Sequence, residues 1–169
     1  MTESQASEKD RKIGLLESWK IGRKVLRDAV IDLEWEDMEI KSFGSFSVKD
    51  ILAHVIEWDK SALINAEAFL RNEPLDFGPD WDNDLFNAKA VSKWQNKSPG
   101  EVRNEFLSTT DAVCVFLVDL NLDDLLSDKN LKFKGQVVNP ALFLIDPGHD
   151  LGHARQITEW REREGIRRI

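Results

Sequence analysis

The sequence predicts an all-α fold: an antiparallel four-helix bundle with one short extra helix in the connection between its second and third long helices. Three observations carry this expectation. Apolar residues recur at helical spacing along most of the chain, whereas the alternation of a half-buried strand is scarce. Segments rich in Pro, Gly, Asn and Asp divide the helical pattern into long stretches. Ser98-Pro99-Gly100-Glu101 is a strong helix start, with serine at the N-cap, proline at the first helical position and glutamate at the third. Long helices joined by loops bury their apolar stripes most simply against one another.

The first helix is expected from about Asp10 to Leu33, after a disordered segment 1–10, with 11–169 forming one domain. Its apolar stripe is Leu15, Trp19, Leu26, Ala29, Val30 and Leu33. Trp35 to Phe46 is a connection broken by Gly44. Ser47 starts the second long helix with a weak capping arrangement that includes Asp50, and this helix continues to about Leu70. Ile51, His54, Trp58 and Ser61 share one of its faces. Asn72 to Asn83, with Pro74, Gly78 and Pro79, is a long loop, and Asp84 to Asn96 is the short extra helix. The third long helix runs from Ser98 to about Leu120 on Val102, Phe106, Val113 and Leu117. Asn121 to Val138 is polar, with a short extended piece at Leu131-Lys132-Phe133-Lys134. The last helical region begins at Asn139-Pro140 and ends near Gly165, interrupted at Asp146-Pro147. A restart there puts Asp146 at the N-cap and His149 in the first turn.

At 169 residues the chain is long enough for one well-formed core. Its formal net charge of -8 argues against nucleic acid as a partner, which needs a basic face. No apolar run approaches the roughly 20 residues of a membrane span. The polar N-terminus lacks the apolar stretch of a signal peptide. One cysteine permits no intrachain disulfide, so a cytoplasmic location is expected. That residue, Cys114, lies in an apolar run without nearby cations and reads as a buried structural thiol.

The three histidines carry the chemistry. His149 and His153 are four apart, which stacks them on one helix face with Cβ atoms roughly 5–6 Å apart. His54 lies on another helix, on the side of that helix that faces the core. Two imidazoles at this spacing can close on one ion with bonds of about 2.0–2.1 Å, and a third from a facing helix completes a site with open positions. A lone histidine on an apolar face is more often an ordinary core residue; the joint arrangement of all three is what favours metal. Neutral imidazoles suit zinc, nickel, iron or copper, and affinity order does not choose among them. Asp50, Glu57, Asp150 and Gln156 are candidates to orient the imidazoles from behind, each equally readable as a solvated helix residue. Trp58 and Asn87 are candidates for a substrate pocket.

Two other metal motifs fit less well. In a zinc-protease His-Glu-x-x-His helix, the position of Asp150 is glutamate, with a longer reach. His149-Asp150-Leu151-Gly152-His153 also resembles the HD-type phosphohydrolase signature. That family needs a closer upstream histidine and a downstream aspartate, and no aspartate follows Asp150.

Ser47-Val48-Lys49-Asp50-Ile51-Leu52-Ala53-His54 resembles the second-helix motif of the DinB/YfiT-like superfamily. His149-Asp150-Leu151-Gly152-His153-Ala154-Arg155-Gln156-Ile157 resembles its last-helix motif. Trp81-Asp82-Asn83-Asp84-Leu85-Phe86-Asn87-Ala88 is similar to the insertion of the ClbS/DfsB-type branch. The resemblance spans about Lys12 to Arg163 and implies a four-helix bundle whose ligands to a divalent metal are His54, His149 and His153. Superfamily members include thiol-dependent transferases, a mycothiol-dependent isomerase and a hydrolase that opens a strained ring, and dimers are common. The chain departs from the pattern at Asp146-Pro147, which interrupts the last helix, and at Ala154, where many members carry histidine.

The expected function is that of a metal-dependent hydrolase or of a transferase using a low-molecular-weight thiol. It would act on a small molecule, as a homodimer, away from membranes and nucleic acids. The alternatives are a non-catalytic bundle that binds or sequesters a small molecule, and a structural dimer whose histidines belong to the core. Substrate, nucleophile and native metal are not encoded in any readable pattern.

Overall fold

The computed structural model describes residues 3–76, 81–121, 132–133, 136–137 and 144–166. The helices among them are α1 (Glu3–Val30), α2 (Trp35–Glu39), α3 (Val48–Leu70), α4 (Asn83–Trp94), α5 (Pro99–Asp119) and α6 (Gly148–Glu164). One two-residue antiparallel pair accompanies them, β1 (Lys132–Phe133) with β2 (Gln136–Val137). The described residues are dominated by helix, so the class is all-α. β1 coincides with the middle of the extended piece expected at Leu131–Lys134. Gly78, Pro79 and the expected helix start at Asn139-Pro140 lie outside the described residues.

Local chemistry sets most boundaries. α1 opens at Glu3, ahead of the expected start near Asp10, because residues 3–9 contain neither proline nor glycine. It ends at Val30 rather than Leu33. α2 is a single turn inside the segment expected to be irregular, pinned by the fully buried Met38. The Ser47 cap is a complete capping box: its Oγ accepts the Asp50 N–H at 3.2 Å, and Asp50 Oδ2 accepts the Ser47 N–H at 2.8 Å. α4 is capped by Asp82, whose carboxylate accepts the N–H groups of Asp84 and Leu85. Ser98 and Glu101 close the expected box on α5.

The restart at Pro147 occurs as expected, with one shift of role. Pro147 itself is the N-cap of α6, while Asp146 still supplies the cap bond, accepting the Gly148 N–H at 2.9 Å. Its carboxylate reaches the first free N–H from one residue further out. At the other end Gly165 takes φ 71°, and the Ile166 N–H donates to the Arg161 carbonyl at 2.9 Å. This left-handed stop satisfies carbonyls of the last turn and favours glycine.

Pairings between helices fix their directions. Lys12 near the start of α1 donates to the Leu120 carbonyl just beyond α5, and Arg103 early in α5 donates to the Ile31 carbonyl after α1, so α1 and α5 are antiparallel. Pro147 meets the middle of α1, and Arg161 late in α6 pairs with Asp32 at its end, so α1 and α6 are parallel. Lys49 reaches the Lys97 carbonyl ahead of α5, and Lys60 further along α3 pairs with Glu105, so α3 and α5 are parallel. Two parallel pairs therefore lie antiparallel to each other, which corrects the expectation that neighbouring helices simply alternate. The physical reason is the long α3–α5 connection: with α4 inside it, the chain returns to the end from which α3 started, and a short loop could not do this.

The core has two apolar clusters. One gathers Leu26, Val30, Met38, Leu52, Ile56, Phe106, Ile157 and Trp160 with their neighbours. The other gathers Trp19, Ala62, Ala66, Val113, Leu117, Leu144 and Ile145. Between them, each long helix contributes a polar residue: Arg23 on α1, Asp59 on α3, Thr110 on α5 and Asp150 on α6. The histidines lie beside this layer.

Asp50 offers a direct test of the capping chemistry. Burial pushes its carboxyl upward, but bonds from Lys41 and from the Ser47 backbone and hydroxyl outweigh burial and hold it below the ordinary value. A depressed folded-state pKa stabilises the fold above the unfolded value of about 4, and this contribution disappears as pH falls through the folded value. Asp50→Ala is therefore expected to cost about 1–2 kcal/mol at pH 6. In urea unfolding, the difference from the parent should shrink below pH 4.

Candidate metal centre

The site is assembled from two helices of opposite direction. His54 projects from the second turn of α3, and His149 and His153 from the first turns of α6. The ring nitrogens converge. His54 Nε2 lies 2.9 Å from His149 Nε2, and His153 Nε2 lies 3.2 Å from the same atom. One ligand atom from each of the three falls within 4.8 Å of the others. Ligand nitrogens about 2.0–2.1 Å from a shared ion stand roughly 2.9 Å apart at right angles and about 3.3 Å apart at the tetrahedral angle. The two measured separations fit that range.

The far side of two rings decides where their protons sit. Trp58 Nε1–H donates to Asn87 Oδ1 at 2.9 Å, and an indole N–H can only donate, so this Asn87 atom is the oxygen. The same oxygen lies 2.9 Å from His54 Nδ1, which must then carry a proton. His54 Nε2 is left with its lone pair toward the other histidines. Gln156 Oε1 faces His153 Nδ1 at 3.1 Å and has the same effect there. Lone pairs this close repel one another unless a proton or a cation lies between them, which is the donor set that a divalent ion fits.

A second proton on any of these rings is disfavoured. Burial, and then the charge of His153, lower His54 to about 4 against the opposing Asn87 bond. Burial and then His153, His54 and Arg23 lower His149 to about 3. Burial lowers His153 as well, against its bond to Gln156. Neutral imidazoles are the form that binds metal.

The other candidates divide. Gln156 and Asn87 stand behind His153 and His54, and Trp58 holds Asn87 in place. Asp50 is not at the site; its carboxylate is consumed by Ser47 and Lys41. Glu57 pairs with Lys93 and accepts the Trp94 indole N–H. Asp150 is buried, with Oδ2 2.9 Å from Arg23 Nε in an ion pair, and it is not among the residues whose ligand atoms converge. Its pKa is pushed up to about 6 by burial, which Arg23 opposes and Asp59 reinforces.

Arg23 and Asp59 were not singled out by the sequence reading. Arg23 bonds both Asp59 oxygens, at 2.7 and 3.0 Å, and is stacked between Trp19 and Phe106. The signal was present: Arg23 falls four after Trp19 and three before Leu26, inside the apolar stripe of its own helix. Beside it, Gly22 admits the start of α6. A Cβ there would lie 2.9 Å from Pro147 Cβ and 3.1 Å from its Cα. Gly22 and Arg23 together dock the turn that carries His149.

Solved structures share this fold. A crystal structure of an uncharacterised protein from Escherichia coli UTI89 superposes with a TM-score of 0.74 at 14% identity, covering 93% of this chain and 96% of that one. A structure described as Sibling Lethal Factor Precursor - DfsB gives 0.75 at 16% identity, covering 90% and 96%. At these identities the likeness is one of fold. No protein-family model and no curated protein matches the sequence. Among the described residues, no helix is long and apolar enough to cross a membrane.

Two measurements check this geometry. In chelator-treated protein, NMR titration of the imidazoles should find His54 and His149 neutral down to about pH 5; ordinary titration near 6.5 would mean that the rings do not crowd one another. Gly22→Ala should lower stability by about 1–2 kcal/mol as overpacking exceeds the gain in helix propensity. Gly14→Ala, in the same helix with open space at its Cβ, should instead raise stability by up to about 1 kcal/mol in the same thermal melts.

Proposed function

We propose that this protein is a metal-dependent enzyme of the DinB/YfiT-like superfamily, its four long helices forming that superfamily's bundle. In this reading His54, His149 and His153 hold a divalent ion, with zinc, nickel or iron as the candidates. The reaction is attack by water or by a low-molecular-weight thiol on a small electrophile, making the protein a hydrolase or an S-transferase. The carrying observation is the convergence of three Nε2 atoms, with His149 Nε2 2.9 Å from that of His54 and 3.2 Å from that of His153.

A divalent ion, when bound, supplies Lewis acidity, which acidifies a water or thiol and polarises an electrophile. The protein's own residues supply the rest. His54 and His153 present their Nε2 lone pairs because Asn87 and Gln156 accept hydrogen bonds from their Nδ1–H groups. The Arg23–Asp59–Asp150 layer and the Gly22–Pro147 contact hold the first turn of α6, and with it His149, against α1. No carboxylate joins the histidines among the described residues. The open coordination positions are thus left to solvent and substrate, the arrangement of catalytic rather than structural sites. A homodimer is the assembly that the superfamily resemblance suggests.

Metal analysis by mass spectrometry tests the reading. The parent should carry near-stoichiometric metal, and the His149→Ala/His153→Ala variant should carry at most about a tenth as much. A metal-loaded parent would then be screened for hydrolysis and for thiol transfer. A parent that takes up none of zinc, nickel or iron on reconstitution would leave the histidines as core residues and remove the proposal.

A further inference from the structure

Three large aromatic side chains beside the histidines belong to neither apolar cluster of the core. They are Trp58 of α3, Trp81 just ahead of α4 and Phe86 of α4. Their ring centroids are 4.7 Å apart for Trp58–Phe86, 4.9 Å for Trp81–Phe86 and 6.0 Å for Trp58–Trp81. All three are half-buried, and the neighbouring Leu85 is exposed. The cluster adjoins the metal centre directly. The Trp58 ring meets the His54 ring edge-on at 6.1 Å, and both rings bond the same Asn87 oxygen.

Aromatic surface left half in water contributes less to folding than it would inside the core. Apolar walls around a few convergent polar groups are the usual composition of a small-molecule site. We propose that the Trp58–Trp81–Phe86 cluster is the substrate wall of the three-histidine centre. The substrate class that follows is an electrophile carrying a flat, uncharged apolar group, an aromatic ring or a conjugated system, next to its reactive atom. The inference rests on the proposed metal centre and adds to it the part of the substrate that does not react.

The chemistry of the wall favours a neutral group over a cation. An aromatic cage for an ammonium group needs rings standing apart around a void. These rings pack against one another, with centroids 4.7–6.0 Å apart, and leave no such void among the three. The two acids flanking Trp58 in sequence are already paired, Glu57 with Lys93 and the Trp94 indole and Asp59 with Arg23.

The test uses the zinc-loaded full-length chain and two probes with one chelating head, acetohydroxamate and benzohydroxamate, measured by titration calorimetry. The parent is expected to bind benzohydroxamate about ten-fold more tightly than acetohydroxamate. In Trp81→Ala and in Phe86→Ala, that ratio should fall to about two-fold, with zinc content and acetohydroxamate affinity unchanged. Trp81→Phe, which keeps a ring in place, should retain most of the preference. An equal ratio in the parent and both alanine variants would overturn the wall as a substrate surface. Zinc uptake without binding of either hydroxamate would also overturn it while leaving the metal centre standing. Failure to take up zinc, nickel or iron would remove the metal centre, and the wall's assignment with it.

Discussion

A guanidinium buried among four helices is the constraint on which the rest of this structure depends. Arg23 is 5% exposed, bonded to both oxygens of Asp59 and ion-paired with Asp150. A charge so placed is tolerable only with its partners present, and removing one from such a group typically costs about 3–5 kcal/mol. The layer therefore fixes the axial register of α1, α3 and α6 more tightly than apolar packing does, because apolar contacts are not directional. It also contains one cation and two acids. Burial raises both carboxyls, and Arg23 counters this in each.

The three-histidine cluster inherits its order from that layer. His149 adjoins Asp150 in sequence, so the ion pair that seats α6 also seats the ring. Asn87 and Gln156 then settle the orientation of the other two rings. Asn87 comes from α4, outside the four long helices, and it is itself held by an indole that can only donate. Each link is a bond with a fixed direction, which is how a site gains sub-ångström order from a bundle whose core is mostly interchangeable hydrocarbon.

Much of this was legible in the sequence, and the failures have physical causes. The His149–His153 spacing and the inward placement of His54 follow from helix periodicity alone. The start of α5 at Ser98-Pro99-Gly100-Glu101 and the break at Pro147 follow from backbone chemistry. Helix direction was not legible, because amphipathic patterns look alike for parallel and antiparallel neighbours. α2 was missed because one turn of helix has almost no period to detect, and its stability comes from the tertiary burial of Met38. Asp50 was open to two readings, because a carboxylate one turn before a histidine serves equally well as a cap, and its bonds to Ser47 bear out the capping one. The role of Arg23 was not legible, since its partners are 36 and more residues away.

The sequence distance between the ligand helices has a consequence for timing. His54 and His149 are separated by 95 residues, and α6 is the last helix of the chain described. At about 5–20 residues per second of synthesis, His54 leaves the ribosome several seconds or more before its partners exist. During that interval a single imidazole has little claim on any ion. The three rings thus come together only once α6 has been made and has docked on α1, so an ion held by all three would report that docking.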